Sequence, residues 1–541
     1  MLIILDGFGL NPSDFGNAIR LADTPNLDLM WTNFPKKGVL IRASESAVGL
    51  EQGYTGNSEV GHISIGSGQV LPQSLQRINE SIHLKTFYKN KVINKAFKTA
   101  QRKGKRVHLM GILSNAGVHA HIAHLYALLE ICQRLHVSPY LHLFLDGRDT
   151  GEQDGFFFLD RLNRKMKKLG IGKIASLSGR FYAMDRNTRW ERTQKAYAAI
   201  TGTDGTLNTD PFTAVQSAYL KKETDETFTP TILVDTDSKP VGSINDGDTV
   251  FFFNFREDRA RQIAQALIKK DFTGFKRKKT VLNIDFLTMG GYAEGLKAKV
   301  IFTAVVPKTT ISEIISRNGL KQLHIAETEK YAHISYFFNG GREEPHEGER
   351  FFRIPSPLVK DYATIPEMSA YKVKDEVVAQ LKKGLYDFYL VNFANPDMIG
   401  HTGNLNAAIK AVEVTDECVG EIVNTALKLG GKVIITADHG NCEEMINPRT
   451  NTKLKSHTLN NVPFIIVDDI SKYPSNIKIY SKGLNSEKLT VNSTPDILKV
   501  GSPEDNQPVG ILADVGVTVL ALLNLEPSPD MTGVNLNDSF D

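Results

Sequence analysis

Short, nearly unbroken apolar runs recur along the chain, each closed by polar residues or glycine: LIIL (2–5), RVHLMGIL (106–113), YLHLFL (140–145), TVFFFNF (249–255), FYLVNF (388–393) and KVIITA (432–437). Hydrophobicity on consecutive rather than alternate positions predicts strands buried on both faces of a sheet. Between them, ERTQKAYAAI (191–200) and NAAIKAVEVTDECVGEIVNTALKLGG (406–431) carry helical spacing, the second stopping at glycine. This alternation predicts an α/β fold with ligand chemistry at the C-terminal ends of the strands. No internal repeat is visible. Residues 468–508, rich in Ser, Asn, Lys and Pro with weak periodicity, read as a surface insertion or long hairpin.

The length of 541 residues suggests three or four domains, or two large ones, and 41% hydrophobic with 23% charged residues is the balance of a globular protein with a large core. No apolar run approaches the ~20 residues that span a bilayer, and MLIILDGFG meets an acid and two glycines too early for a signal peptide. The expectation is a cytoplasmic protein with no membrane partner. Cys132, Cys418 and Cys442 are widely spaced with no CxxC pattern, which fits a reducing compartment and argues against a zinc–thiolate site. The net charge of +3 hides an asymmetry. Patterning changes near 72 and 305, and residues 73–305 hold 37 Lys and Arg against 23 Asp and Glu, a net +14, leaving −11 on the flanks. Clusters such as KRKK (276–279) usually face water; the alternative is a basic part handling an anion beside an acidic part handling cations.

Candidate chemistry collects at strand ends. Asp6 closes LIIL, Asp397 follows FYLVNF, and Asp438 with His439 follows KVIIT. Asp397 and His401 are four apart, so a helical turn points them the same way; His457 precedes the apolar run VPFIIV. An Asp after one strand is usually a turn former or cap, but this set of carboxylates and imidazoles suits Mn²⁺, Mg²⁺ or Zn²⁺. In GYTGNSEVGHISIGSG the Asn57–Ser58 pair could cap a helix beginning near Glu59, or Ser58 could present a hydroxyl to a phosphate at a helix N-terminus, with a metal to activate it. His62 reads as loop support rather than as a ligand.

The basic segment offers a second set: His119, Arg148 and Asp149 in FLDGRDT, Arg180 and Arg186 in SGRFYAMDRNTRW, and Arg256 and Arg259 in FNFREDRARQ. Each arginine alone suits a surface ion pair. Several at strand ends suit a small polyanion, because a guanidinium fork matches two carboxylate or phosphate oxygens at once. Lys330, in AETEKYAH, lies beyond the second boundary and could reach the same phosphate.

The motifs GNSEVGH, FLDGRDT, SGRFYAMDR, AETEKYAH, NFANPDM.GHTG and ADHGN together resemble cofactor-independent phosphoglycerate mutases of the alkaline-phosphatase superfamily, across nearly the whole chain. The resemblance implies an alkaline-phosphatase-like three-layer α/β domain, residues 1–72 and 306–541, with a second α/β substrate-binding domain, residues 73–305, inserted. It implies two divalent ions, Mn²⁺ first with Mg²⁺, Co²⁺ or Zn²⁺ possible: one on Asp397, His401 and His457, the other on Asp6, Ser58, Asp438 and His439. It further implies that Ser58 becomes phosphoserine, that Arg256, Arg259 and Lys330 hold the phosphoryl group, and that His119, Arg148, Asp149, Arg180 and Arg186 bind the glycerate, Asp149 also shuttling a proton. No 2,3-bisphosphoglycerate is expected. The departures are Tyr54–Thr55 before GNSEVGH, Asn115–Ala116 where Asp-Gly is usual, Glu257 where proline is usual, and the 468–508 stretch; none removes a ligand of the implied set.

The expected reaction interconverts 3-phosphoglycerate and 2-phosphoglycerate in a monomer, with the two chain crossings serving as hinges. A phosphatase or sulfatase of the same superfamily would need the metal site and nucleophile but not the arginine-rich segment. A nucleic-acid partner is not expected, because the arginines sit at strand ends rather than in a basic stripe interleaved with aromatics.

Overall fold

The structure is a computed structural model that describes residues 1–33, 38–468 and 507–537, so the 468–508 stretch lies, apart from its end residues, outside the described residues. The chain divides into two compact units, Met1–Pro72 with Val305–Asp541, and Gln73–Ala304. Each is built on its own eight-stranded sheet.

In the first unit the strands run in the order Glu349–Ile354, Gln322–Glu327, Phe388–Phe393, Leu2–Leu5, Val433–Thr436, Val462–Val467, Val39–Arg42, Gly510–Ile511. Leu2–Leu5 lies at the centre, parallel to both neighbours, with Leu5 opposite Phe393 and Ile4 opposite Thr436. All four of its side chains are buried, which accounts for the unbroken apolar run. Val462–Val467 alone runs against the rest, antiparallel to both Val433–Thr436 and Val39–Arg42. Its N-terminal end therefore sits at the edge where its neighbours end. One group of helices gathers around Leu405–Lys428, in contact with Ala18–Leu21, Pro25–Asn33, Ala370–Lys383 and Asn395–Gly400. A second group joins Ser58–Ser67, Ile311–Arg317 and Leu512–Leu522. With its strands buried on both faces, the unit is a helix–sheet–helix sandwich.

The second unit orders its strands Lys299–Val300, Asp285–Thr288, Thr249–Phe252, Val107–Leu113, Tyr140–Leu145, Lys173–Gly179, Thr231–Leu233, Thr206–Asn208. The six from Lys299–Val300 to Lys173–Gly179 are mutually parallel, so their C-terminal ends share one edge. The apolar run TVFFFNF outlasts its strand, which ends at Phe252. The amides of Phe253 and Phe255 go instead to the carbonyls of Met110 (2.9 Å) and His119 (2.8 Å), so the segment leading to Arg256 stays extended and tied to the loop after the neighbouring strand.

The three cysteines are buried and unbridged. Among the described residues no helix is long and apolar enough to cross a membrane.

Candidate active site

Three neighbouring strands of the first unit deliver acids to one edge: Asp6 after Leu2–Leu5, Asp397 in the turn of helix after Phe388–Phe393, and Asp438 after Val433–Thr436. The reversed strand brings His457 to the same edge. Gly7, at φ +72°, keeps the first of these turns tight; a Cβ there would lie 2.7 Å from the Asp397 Cα.

Ser58 opens the helix Ser58–Ser67, and its neighbour does the capping: the Asn57 side chain accepts the Val60 N–H at 3.1 Å. The helix thus starts one residue earlier than Glu59, and the serine hydroxyl is released from cap duty. Its Oγ lies 3.0 Å from His439 Nε2, donates to Asp6 Oδ1 at 3.2 Å, and accepts from Lys330 Nζ at 2.8 Å. Lys330, in the turn after Gln322–Glu327, also donates to Asp6 Oδ1 and Asp397 Oδ2, both at 2.6 Å. Burial works against every one of these charges, but the carboxylates hold Lys330 above its ordinary range, and Lys330 with the histidines holds Asp6 and Asp397 well below theirs. His62 Nδ1 lies 2.8 Å from the Ser58 carbonyl and 3.3 Å from Asp438 Oδ2.

Among the described residues two clusters could hold metal ions: Asp397, His401 and His457, and Asp6, Asp438 and His439. In the first, the Nδ1 atoms of His401 and His457 face the carbonyls of Lys455 (2.7 Å) and Gly56 (2.9 Å) and so carry the protons. The two Nε2 atoms, left over by those carbonyls, lie 3.1 Å apart and each 3.4 Å from Asp397 Oδ1, so two ring nitrogens and a carboxylate oxygen converge as the ligands of a cation do. In the second, the buried Asp438 Oδ2 has no hydrogen-bond partner. Burial opposes a charge on His439, yet Asp438, Asp6 and Asp397 raise its pKa to about 9; a field that favours a proton there also favours a divalent ion in its place.

Residues that sequence patterning passed over hold the acids still. Asn392 donates to Asp6 Oδ2 at 2.9 Å, and Asn441 to Asp397 Oδ1 at 2.7 Å. Glu443 gathers the amides of Gly9 (3.1 Å) and Asn441 (2.8 Å) and the side chains of Thr458 and Asn460. Asn392, polar within the strand FYLVNF, was the one visible signal among them.

In the second unit every candidate follows a C-terminal strand end. Arg180 is buried, and its fork reaches Asp146 and Asp149, both 2.6 Å from Nη1, while Nη2 donates to His119 Nε2 at 3.1 Å. Burial, then the Arg180 charge, lowers the His119 pKa to about 4, so this imidazole is neutral. Asp258 collects Arg186 (2.9 Å), Arg256 (3.3 Å) and the Arg259 amide (2.9 Å). Arg148 is set apart, 56% exposed and 3.6 Å from Glu226, yet near enough for its charge to weigh on Arg259. Asp146 and Asp258, which organise these cations, lie two residues from Arg148 and Arg256 in sequence, with nothing in their spacing to mark them.

The family described as BPG-independent PGAM N-terminus matches residues 78–294. Proteins named 2,3-bisphosphoglycerate-independent phosphoglycerate mutase from Clostridium novyi and Methanococcoides burtonii are 43% and 42% identical, each over 99% of this chain and 98% of their own length. A crystal structure of Leishmania mexicana phosphoglycerate mutase at low cobalt concentration, 28% identical, superposes with a TM-score of 0.69 over 98% of this chain and 96% of that one. With identity of this degree along its whole length, the chain belongs to the 2,3-bisphosphoglycerate-independent phosphoglycerate mutase family.

Proposed function

We propose that the chain interconverts 3-phosphoglycerate and 2-phosphoglycerate without 2,3-bisphosphoglycerate, passing the phosphoryl group through Ser58. Family membership supports the overall reaction. The observation that carries the route is the Ser58 hydroxyl at a helix N-terminus, flanked at 3.2 Å or less by Asp6, Lys330 and His439.

Serine is a weak nucleophile at neutral pH, and Lys330 beside its oxygen favours the alkoxide while remaining charged. Ser58 Oγ forms a bond to phosphorus as the bond from phosphorus to the substrate hydroxyl oxygen breaks. The helix N-terminus, Lys330, Arg256 and Arg259 offset charge on the equatorial oxygens. Asp149 supplies a proton to the departing oxygen and takes one from the other hydroxyl, which then attacks phosphorus and frees Ser58. His119, Arg148, Arg180 and Arg186 keep the glycerate bound between the two transfers. Asp397, His401 and His457 would hold one divalent ion, and Asp6, Ser58, Asp438 and His439 a second. Mn²⁺ is the first choice, with Mg²⁺, Co²⁺ and Zn²⁺ compatible with the same donors. Such ions supply Lewis-acid charge to nucleophile and phosphoryl oxygens.

Ser58→Ala tests the route. The variant should fold, lose mutase activity by at least about 10³-fold and fail to take up label from phosphoglycerate. Labelled phosphate on the variant at the wild-type level would end the assignment.

A further inference from the structure

Away from the residues assigned above, the second unit carries a cleft of about 1080 Å³ whose charged lining is entirely basic: Lys89, Lys91, Lys95, Lys98, Arg102 and Arg134, with His136 and no carboxylate. Four of these cations stand at i, i+4, i+7 and i+11 on the helix Lys91–Arg102, whose opposite face buries Ile93, Ala96, Phe97 and Ala100. At 1.5 Å per residue the stripe spans about 16 Å.

The basic helix Gly155–Leu169 carries Asp160, which pairs with Arg164. Lys91–Arg102 has no acidic residue, and among the described residues none of its four cations has a carboxylate within ion-pairing distance. The arrangement works against the helix. Lys91 stands in the first turn, where the dipole disfavours a cation, and Lys91/Lys95 and Lys98/Arg102 are like-charge i,i+4 pairs. Arg134 is fixed in place by donating to the Tyr88 carbonyl (2.5 Å) and to Asn94 Oδ1 (2.7 Å); Tyr88, also in the lining, donates its hydroxyl to Glu130 at 2.8 Å and lies under the Lys85 ammonium.

We propose that this cleft binds the phosphate backbone of a single-stranded nucleic acid without sequence preference. A linear row of cations in an open cleft, with Arg134 beside it, tracks a flexible phosphate chain, whereas the lining offers no run of apolar side chains for a membrane to take up. The inference departs from the expectation drawn from the strand-end arginines: the helix lysines form the basic stripe that those arginines do not.

The test is fluorescence anisotropy of the full chain with a labelled oligouridine of about 16 nucleotides. Neutralising about five phosphates predicts binding at 50 mM salt that weakens about 100-fold by 200 mM. Lys91→Gln/Lys95→Gln/Lys98→Gln/Arg102→Gln should weaken binding at least about tenfold, with mutase activity and melting temperature retained. If the quadruple variant does not fold, Lys95→Gln/Lys98→Gln makes the same comparison with a drop of several-fold. No binding at 50 mM salt, binding indifferent to these substitutions, or stronger binding of polyglutamate or phosphatidylserine vesicles than of oligouridine would each overturn the proposal.

Discussion

Gly61→Ala separates the chemistry of the site from the stability of the fold. Gly61 lies on the helix that Ser58 opens, and a Cβ there would meet the Asp438 carbonyl oxygen at 2.6 Å and the Asp438 Cβ at 2.8 Å. Reaching ordinary contact requires the helix and the Asp438–His439 turn to part by about 0.6–0.8 Å, and neither contact is the yielding end of a flexible side chain. Overpacking of this kind costs about 1–3 kcal/mol, and replacing a mid-helix glycine by alanine returns about 1 kcal/mol. The net loss is then at most about 2 kcal/mol, a fall in melting temperature of no more than about 8 °C. Activity should suffer far more. A displacement approaching 1 Å between a nucleophile and the groups that position it costs on the order of 10²-fold in kcat. Thermal unfolding beside an enolase-coupled assay reads both quantities. A variant with wild-type kcat would refute the argument that the close approach of this helix to Asp438 sets the Ser58 geometry.

Exhaustive chelation should abolish mutase activity, with Mn²⁺ among the ions that restore it; full turnover after metal removal would exclude the metal-assisted route. Arg186→Ala, which takes one cation from Asp258, should lower mutase activity more than hydrolysis of p-nitrophenyl phosphate, and equal losses would count against a glycerate-holding role. Burial raises the Glu327 pKa to about 7, so its contribution to stability is present in full below about pH 4.5 and is lost as pH rises through 7. Glu327→Gln, which can keep the bonds to the Ser369 amide and the Ser356 hydroxyl, should match wild type near pH 4 and exceed it by up to about 3 kcal/mol at pH 8 in denaturant melts; the same difference at both pH values would rule out the ionisation.

Much of this protein is written in consecutive residues. A strand buried on both faces is apolar at nearly every position, so LIIL, YLHLFL and FYLVNF coincide with Leu2–Leu5, Tyr140–Leu145 and Phe388–Phe393. The change of patterning near 72 and 305 coincides with the division into two units. Asp6, Asp397, Asp438, Arg148 and Arg256 were legible as site candidates because each follows such a run, and chemistry in an α/β sheet collects where strands end.

What tertiary structure decided is which ends meet. Nothing in SHTLNN announces that the following strand runs against its neighbours, yet only that reversal brings His457 to Asp397 and His401. Similarly, GNSEVGH leaves open whether Asn57 or Ser58 caps the helix; the backbone assigns the cap to Asn57 and frees the serine. Asn441, Glu443 and Asp258 act across gaps in the chain, and their types are too common in loops to stand out. A hydrogen bond joining loops far apart in sequence leaves no periodic trace, because its partners are brought together by the order and direction of strands and not by spacing along the chain.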